Sequence, residues 1–210
     1  MNITILGAGS VGANLARRLV ASGHEVEFGV RQPMDTAALR AELGSKATAQ
    51  PLGESAKSAD IVFVAVTASA AIDAVRHSGI RDGAILVDCN NPVLFVDGPV
   101  LKPPSEGSTT AALAAAFPRL RVVKGFNHFG AEIHRNPALA SGSADAFFAG
   151  DDKEAKAVVM DLAKGLGFVP RDVGPLRNAA VLENLAVLWI QLAMQSGLGR
   201  EFSFRCEGRA

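Results

Sequence analysis

Short apolar runs alternate with amphipathic segments along the first two thirds of the chain. The runs are built mainly from Val, Ile, Leu and Phe and lack the polar alternation of a half-exposed strand, as is typical of strands covered on both faces. We predict seven buried strands, at residues 2–6, 25–30, 61–66, 84–88, 121–126, 146–150 and 168–173. Strands that alternate with helical segments predict an α/β fold with a mostly parallel sheet.

Two of the intervening segments have clear helical spacing. Val11, Leu15 and Leu19 recur every four residues, which predicts a helix over residues 10–22 that ends at Gly23. A second helix is predicted over residues 152–166, because two aspartates open it and Gly167 follows it. By contrast, residues 90–108 contain four prolines and two glycines, so we predict a long loop there.

After residue 174 the pattern changes to a single helix, predicted over residues 179–196, that is apolar on most sides. Such a helix must be covered on most sides. The sheet supplies one cover, and the same helix of a second subunit can supply the other, which predicts a homodimer. The alternative is a monomer whose own loops supply that cover. We therefore divide the chain into a core domain, residues 1–174, and a C-terminal helical extension, residues 175–210, that serves dimerisation and the acceptor site.

A glycine-rich turn follows the first predicted strand. It has the spacing G-x-G-x-x-G and consists of Gly7, Ala8, Gly9, Ser10, Val11 and Gly12. A strand leads into the turn, a helix follows it and a second strand comes next, which is the context of a dinucleotide-binding Rossmann fold. In that context Gly7 permits the tight turn, Gly9 lets the backbone approach a pyrophosphate and Gly12 lets the helix pack on the strand. The sequence thus predicts a dinucleotide site on free N–H groups at the helix N-terminus.

The end of the second predicted strand distinguishes the two nicotinamide dinucleotides. NAD enzymes usually have Asp or Glu there to bind the ribose hydroxyls, whereas this chain has Arg31. A guanidinium is a planar, permanent cation that suits a phosphate. We therefore predict that NADPH is the cofactor and that Arg31 binds its 2′-phosphate; the alternative for Arg31 is a solvated surface arginine.

The carboxyl ends of the other strands form the predicted rim of the nicotinamide site, because ligands of open α/β sheets bind outside those ends. The candidates are Ala65, Val66, Thr67 and Asn91, together with Asn127 and His128 as candidate catalytic residues. Asn127 is suited to hold a carboxamide or a substrate carbonyl. His128 is suited to move a proton near neutral pH, although a hydrogen-bonded structural histidine is at least as common.

Composition excludes several classes of partner. The 210 residues contain 21 Lys+Arg and 21 Asp+Glu, so no net charge favours nucleic acid or an anionic membrane surface. Two cysteines and four histidines without ligand spacing give neither a disulfide framework nor a metal site. We see no apolar stretch long enough to span a membrane and no secretory signal, so we expect a cytoplasmic protein.

With these residues placed, the chain resembles the family of NADPH-dependent coenzyme F420 reductases, which includes the reductase domain of mammalian six-transmembrane metalloreductases. The resemblance covers nearly the whole length. It is carried by residues 5–12, 22–25, 29–31, 123–127, 149–152, 172–176 and 182–185. It implies a Rossmann domain with a small helical C-terminal part, a dimer, and hydride exchange between NADPH and a flavin-like acceptor.

The acceptor stays open at this point. F420 enzymes have a His-Thr-Ile-Pro-Ala stretch where this chain has residues 127–131, Asn-His-Phe-Gly-Ala. The candidate acceptors are F420, a flavin, a quinone or a flavin-chelated metal. Hydroxyacid and pyrroline carboxylate dehydrogenases share the N-terminal pattern but build their substrate site on a large helical domain, for which 36 residues after Gly174 leave no room. A redox-sensing module that binds NADP(H) without turnover is the alternative outside catalysis, because hydride transfer requires no particular side chain.

Overall fold

A six-stranded parallel sheet lies at the centre of the computed structural model, which describes residues 1–31 and 36–208. In chain order, the strands are β1 (Ile3–Leu6), β2 (Val26–Val30), β3 (Ala47–Pro51), β4 (Ile61–Val64), β5 (Ile85–Asp88), β6 (Val93–Phe95), β7 (Pro99–Leu101), β8 (Arg121–Lys124), β9 (Ala138–Leu139), β10 (Gly142–Ser143), β11 (Asp145–Phe148) and β12 (Val169–Asp172). The central sheet has the order β3-β2-β1-β4-β5-β8, and each neighbouring pair is parallel. The order reverses between β1 and β4, and this switch point is where a doubly wound sheet binds ligands.

Helices cover both faces of this sheet. They are α1 (Ser10–Ala21), α2 (Thr36–Leu43), α3 (Leu52–Ser55), α4 (Ala71–Arg76), α5 (Thr109–Ala116), α6 (Ala131–Arg135), α7 (Lys153–Gly165) and α8 (Ala179–Met194). Alternate residues of one strand enter different cores: Ile5 of β1 packs with α1, whereas Leu6 packs with residues of α4 and α5. Because both faces are dry, the strands are continuous apolar runs and not alternating ones.

The fold class predicted from the sequence is confirmed. All seven predicted strands are present, each one or two residues shorter than predicted, and the helices at residues 10–22, 152–166 and 179–196 correspond to α1, α7 and α8. Gly23 and Gly167 follow α1 and α7 with φ of +94° and +90°, the left-handed conformation that suits glycine after a helix.

The sequence did not predict the edge strand β3 or the hairpin. The five residues of β3 contain one β-branched side chain, end in proline and are mostly solvent-accessible, so their apolar signal is weak. The segment predicted as a long loop, residues 90–108, contains β6 and β7, which form an antiparallel hairpin through the turn at Asp97 and Gly98. The loop prediction is therefore wrong for these residues, whose prolines lie outside the interior of a central strand.

The last two strands form a separate parallel pair beside the central sheet. β11 pairs with β12, and one antiparallel bridge between Lys124 and Ala149 connects them to the edge strand β8. α8 follows and packs over the carboxyl ends of β5 and β8. Hydrogen bonds from Lys124 to Glu183 and from Asn127 to Leu182 join it to this edge of the sheet. The sheet is thus mostly parallel, with its final pair running in the opposite direction.

The chain itself covers part of the second face of α8. After α8 the tail folds back, so that the ring of Phe202 stacks on Trp189 at 5.4 Å and the Trp189 indole N–H donates to the Phe202 carbonyl. Phe204 packs against the cluster that includes Phe147 and Leu182. Trp189 is therefore buried within one chain, whereas Leu188 and Met194 remain exposed. The last two residues of the C-terminal extension lie outside the described residues.

Candidate active site

The glycine-rich turn has the geometry that its spacing predicts. Gly7 follows β1 with φ of +107°, and a Cβ there would lie 2.4 Å from the Ala65 carbonyl oxygen. A Cβ on Gly12 would lie 2.0 Å from the Gly7 carbonyl oxygen. A Cβ on Gly9 would meet no protein atom within 4 Å. Gly7 and Gly12 are thus required by the fold, whereas the space next to Gly9 is left for something other than this chain.

The N-terminus of α1 is built to receive an anion. Gly9 is the N-cap and supplies no side-chain hydrogen bond, and the first turn contains no acidic residue. The N–H groups of Ser10, Val11 and Gly12 precede the first intrahelical donor, because the Ala13 N–H is the one that donates to the Gly9 carbonyl. Free N–H groups at the positive end of a twelve-residue helix fit a pyrophosphate.

A cleft of about 590 Å³ opens at this turn. The structure brings most of the predicted cofactor residues into its wall: Gly7, Ala8, Gly9, Ser10, Val11, Arg31, Ala65, Val66 and Thr67. Gly12 is buried behind the turn, where α1 meets β1. The cleft therefore lies across the switch point between β1 and β4, as the fold rule requires.

Arg31 stands exposed at the β2 end of the cleft, next to Gly29 and Val30. One carboxylate is present among the described wall residues. It belongs to Asp73, which forms an ion pair with Arg76 at 2.6 Å on the exposed surface of α4. The end of β2 carries no carboxylate. The Arg31 guanidinium thus supplies positive charge at this end of the cleft, as a phosphate requires. Its place in the wall is consistent with the role predicted from the sequence.

Asn91 and Asn127 lie next to each other after the ends of β5 and β8, and neither of them, including the predicted cofactor residue Asn91, is in the wall of the cleft. The Asn127 amide N–H donates to the Asn91 side-chain oxygen at 2.7 Å and to the Leu182 carbonyl at 3.0 Å, and the Asn91 amide donates to the Asn127 carbonyl at 2.7 Å. These bonds tie the ends of β5 and β8 to each other and to α8. The Asn127 side-chain oxygen is buried and has no partner among the described residues.

A second cavity, of about 230 Å³, adjoins the cleft and shares Val11 with it. Asn91 and Asn127 both line it, and α8 contributes Trp189 and Ile190. The rest of its wall is mostly aromatic or aliphatic, with one permanent cation: Cys89, Phe95, Phe126, Phe129, Gly130, Ala131, His134, Ala186, Met194 and Arg200. We call this space the aromatic cavity. Its wall suits a planar apolar ring, and its two asparagines supply polar contacts.

A third cavity, of about 710 Å³, shares Val66 and Thr67 with the cleft and Asn91 with the aromatic cavity. Its wall also contains the segment before and at the start of α4, the base of the β6–β7 hairpin and the start of α5, where Lys102 and Thr109 are the polar groups of the last two segments. The third cavity thus adjoins both the cleft and the aromatic cavity.

Comparison with known proteins fits this geometry. A family model described as NADP oxidoreductase, coenzyme F420-dependent, matches residues 2–92. A solved structure from Arthrobacter sp. FB24, described as a candidate F420-dependent NADP-reductase, is 31% identical, with a TM-score of 0.85 over 99% of this chain and 100% of that chain.

The chain belongs to the family of coenzyme F420-dependent NADP oxidoreductases. The enzyme class predicted from the sequence, an NAD(P)-dependent oxidoreductase, is confirmed at the level of the family.

A curated protein and a further solved structure are also similar to the chain. Metalloreductase STEAP3 of Rattus norvegicus is 35% identical over 182 residues, which cover 86% of this chain and 35% of that protein. The oxidoreductase thus spans about a third of the length of the curated metalloreductases that it matches. A reductive aminase from Aspergillus terreus, solved in complex with NADPH, shares the fold at 18% identity, with a TM-score of 0.65 over 93% of this chain and 63% of that chain.

His128 is not brought to the cleft or to either of the other two cavities. Its ring is fully buried between Phe129 and Phe147, at centroid distances of 4.7 and 4.8 Å, and its Nε2 lies 3.2 Å from the Asp145 carbonyl. Burial lowers the pKa of His128 to about 4. A neutral imidazole enclosed by phenyl rings has the environment of a structural residue, so the geometry does not support the catalytic hypothesis for His128.

His134, which was not predicted from the sequence, lines the aromatic cavity. Its two ring nitrogens face carbonyl oxygens, with Nδ1 3.0 Å from that of Gly130 and Nε2 2.8 Å from that of Phe126. Burial lowers the pKa of His134, so the neutral ring can donate to one of the two carbonyls. Its place on the short helix α6 gave no sequence signal, because it lies six positions after His128, which is not a catalytic spacing.

The sequence analysis also missed a buried ion cluster beside the site. The Lys124 ammonium lies 3.0 Å from a carboxylate oxygen of Asp88 and 3.0 Å from one of Glu183, and all three side chains are fully buried. In the sequence these residues end apolar strands or sit in an apolar helix, and no spacing relates them. Three charges in apolar segments were the available signal, because unpaired charges are rarely buried.

Residues 1–31 and 36–208 contain no group of three or more His, Cys, Asp or Glu side chains arranged to hold a metal ion. Over the same residues, every helix is too short or too polar to cross a bilayer.

Proposed function

We propose that the chain transfers a hydride between NADP(H) and a planar, flavin-like acceptor that binds in the aromatic cavity. The single observation that supports this most is that two spaces adjoin: a dinucleotide cleft and an aromatic cavity share Val11 in their walls. The family description, NADP oxidoreductase coenzyme F420-dependent, supports the same chemistry.

In this proposal the chain binds and orients both reactants. The N–H groups of Ser10, Val11 and Gly12 bind the pyrophosphate, and Arg31 binds the 2′-phosphate. Val66, Thr67 and Asn91 form the rim around the nicotinamide. When bound, the cofactor supplies the hydride, and reduction of a flavin-like acceptor takes up one proton from solvent in addition.

The residues of the aromatic cavity exclude water and orient the acceptor. Phe129 and Trp189 are both buried and present ring surface, and the free side-chain oxygen of Asn127 is an acceptor for an N–H group of a flavin-like ring. In this assignment Asn127 contacts the substrate and His128 does not. The C-terminal extension, residues 175–210, provides the outer wall through Trp189, Ile190 and Arg200.

We also propose that the protein is a homodimer. α8 keeps Leu188 and Met194 exposed, and the neighbouring hairpin exposes Leu94, Phe95, Val96 and Val100. The hairpin turn lies against α8, since a Cβ on Gly98 would be 3.4 Å from the Gln195 side chain. An exposed apolar patch of this kind is typical of an interaction surface.

NADPH oxidation tests the proposed reaction. Purified protein is mixed with NADPH and, in separate assays, with F420, riboflavin, a quinone or a ferric chelate with flavin, and absorbance at 340 nm is followed. We expect turnover with at least one acceptor that contains a flavin-like ring. Gly9→Val is the control, because a Cβ at this position meets no protein atom within 4 Å and the side chain enters the open space at the turn.

We expect Gly9→Val to fold normally and to lose NADPH binding. NADPH binding by wild-type protein with no turnover of any acceptor would contradict the proposed reaction and would favour the NADP(H)-sensing alternative.

A further inference from the structure

Lys124, Asp88 and Glu183 form an ion cluster that the proposed reaction does not use. Besides its two carboxylate contacts, the Lys124 ammonium donates to the Asn90 carbonyl at 2.5 Å. The three side chains come from three separate elements, since Asp88 ends β5, Lys124 ends β8 and Glu183 lies in the first half of α8.

Asp88 and Lys124 fix the loop that follows β5. Asp88 accepts hydrogen bonds from the Asn90 N–H at 3.0 Å and from the Thr110 hydroxyl at 2.7 Å. The loop is thus held at both Asn90 backbone groups, and the next residue is Asn91, which lines the aromatic cavity and the third cavity. Displacement of this loop would move Asn91.

Glu183 fixes α8. Its Oε1 accepts from Lys124 and from the Thr109 backbone N–H at 2.9 Å. Glu183, Ala186 and Ile190 are spaced three and four residues apart, so they lie on one face of the helix. Ala186 and Ile190 line the aromatic cavity, together with Trp189 on the same side. When α8 is rotated so that Glu183 makes its hydrogen bonds, the side of the helix that lines the aromatic cavity therefore faces Asn91 and Asn127.

The charges of this cluster do not balance, which argues against a role in stability alone. Two carboxylates face one ammonium in a fully buried site, and burial raises the pKa of Glu183. The Glu183 Oε2 atom has no partner among the described residues. Apolar replacements of such clusters are often neutral or stabilising, whereas the ionic version can specify a unique geometry.

We propose that Lys124, Asp88 and Glu183 are positioning residues that hold α8 on the ends of β5 and β8 and thereby shape the acceptor site. This inference rests on the proposed function in one respect, namely that the aromatic cavity is where the acceptor binds. The cluster touches neither reactant in this assignment. It acts through the Asn91 loop on one side and through the Trp189 wall on the other.

Two substitutions at Glu183 separate positioning from folding. Glu183→Gln keeps the length of the side chain and an oxygen that can accept from Lys124 and Thr109. Glu183→Leu keeps approximate volume and loses both bonds. Thr110→Val is the matched control, because it removes a buried hydrogen bond to Asp88 from α5 and leaves the α8 contacts intact.

The readout uses Trp189, the one tryptophan of the chain, which lines the aromatic cavity. Riboflavin is titrated in the presence of saturating NADP⁺, so that no turnover occurs, and quenching of Trp189 emission gives its dissociation constant. Calorimetry gives the dissociation constant of NADP⁺, and urea unfolding gives the stability of each variant.

We expect Glu183→Leu to weaken riboflavin binding at least about tenfold and to leave NADP⁺ binding within about twofold, because the pyrophosphate end of the cleft lies on α1. Glu183→Gln and Thr110→Val should both bind riboflavin within about twofold of wild type. Wild-type riboflavin affinity in Glu183→Leu, or an equal loss of NADP⁺ affinity, would overturn the inference.

The position of α8 is also read without any ligand, through acrylamide quenching of Trp189. Glu183→Leu should raise the quenching constant relative to Glu183→Gln, and equal constants would count against a positioning role. Failure of the proposed function would give a different result. Wild-type protein would bind NADP⁺ and oxidise no NADPH, while the difference in quenching constant between Glu183→Leu and Glu183→Gln would persist.

Discussion

The three glycines of the nucleotide turn have different tasks at the scale of single residues. Added side chains at Gly7 and Gly12 would collide with backbone at 2.4 and 2.0 Å, whereas one at Gly9 would enter open space in the cleft. The motif spacing predicted all three positions. Only the folded structure shows that Gly7 and Gly12 are required by the fold, whereas Gly9 leaves room for a ligand.

Arg31 is the residue that we expect to select the cofactor. If its guanidinium binds the 2′-phosphate, each charge-assisted hydrogen bond contributes on the order of 1.5–3 kcal/mol. Arg31→Ala should then raise the dissociation constant of NADPH at least about tenfold at low salt and change that of NADH little. Arg31→Asp should invert the preference, because a carboxylate repels the phosphate and accepts hydrogen bonds from the ribose.

Calorimetric titration of both cofactors checks the role of Arg31. Arg119→Ala is the matched control, since Arg119 is a surface arginine paired with Asp82 and does not line the cleft. Equal binding of NADH and NADPH by wild type, or an equal loss of both in Arg31→Ala, would rule out Arg31 as the phosphate ligand.

His128 should make stability depend on pH. Burial lowers its pKa from 6.5 to about 4, so the unfolded chain binds a proton at a higher pH than the folded chain does. The stability that the neutral ring contributes is fully present above pH 6.5 and is lost as the pH falls toward 4. The loss is on the order of 3 kcal/mol over that range.

Replacement of the ring tests this assignment. Urea unfolding of His128→Phe should show a smaller fall in stability between pH 7 and pH 4.5 than that of wild type. Burial also lowers the pKa of His134, and raises that of Glu183, but both groups are present in the two proteins and cancel in the comparison. His77→Gln, an exposed-site control, should keep the wild-type pH dependence; an unchanged slope in His128→Phe would argue against the neutral buried ring.

At the scale of elements, the strength of the apolar pattern decided what could be predicted. The strands that are covered on both faces were predicted because nearly all of their residues are apolar, as in β4 and in the first three residues of β5. The edge strand β3 and the β6–β7 hairpin were missed because half or more of each is solvent-accessible. The helices α4 and α6 are five or six residues long, too short to establish a helical period.

The apolar pattern of α8 is compatible with two structures, a dimer and a monomer whose own chain covers the helix. Its apolar residues on several sides predicted several covers, and the sequence did not say which parts of the structure supply them. The tail supplies one of them through Phe202 and Phe204. A charge at Trp189 is therefore expected to unfold the chain, because Trp189 packs inside its own chain.

At the scale of the whole molecule, the homodimer proposal now concerns the patch formed by the hairpin and the outer face of α8. Light scattering should give twice the 21.8 kDa of the chain for wild type. Val96→Glu and Leu188→Glu should each give a monomer with an unchanged circular dichroism spectrum, because both side chains are exposed and a charge in a dry interface is costly.

Val158→Glu is the control for these variants, since Val158 is an exposed apolar residue on α7, away from the patch. It should remain a dimer. A wild-type protein that stays monomeric at micromolar concentration would end the dimer proposal.

The sequence by itself determined the Rossmann class, the position of the dinucleotide turn and the absence of a carboxylate at the end of β2. Each of these depends on residues close together in the chain, where strand, turn and helix follow in order. The tertiary structure decided the rest of the site: the Asn91–Asn127 pair, the aromatic cavity, the burial of His128 and the cluster of Lys124, Asp88 and Glu183. The hydrogen bonds of the Asn91–Asn127 pair and of the Lys124 ammonium with the two carboxylates join residues 36 to 59 positions apart, and only folding of β5, β8 and α8 onto one another brings such residues together.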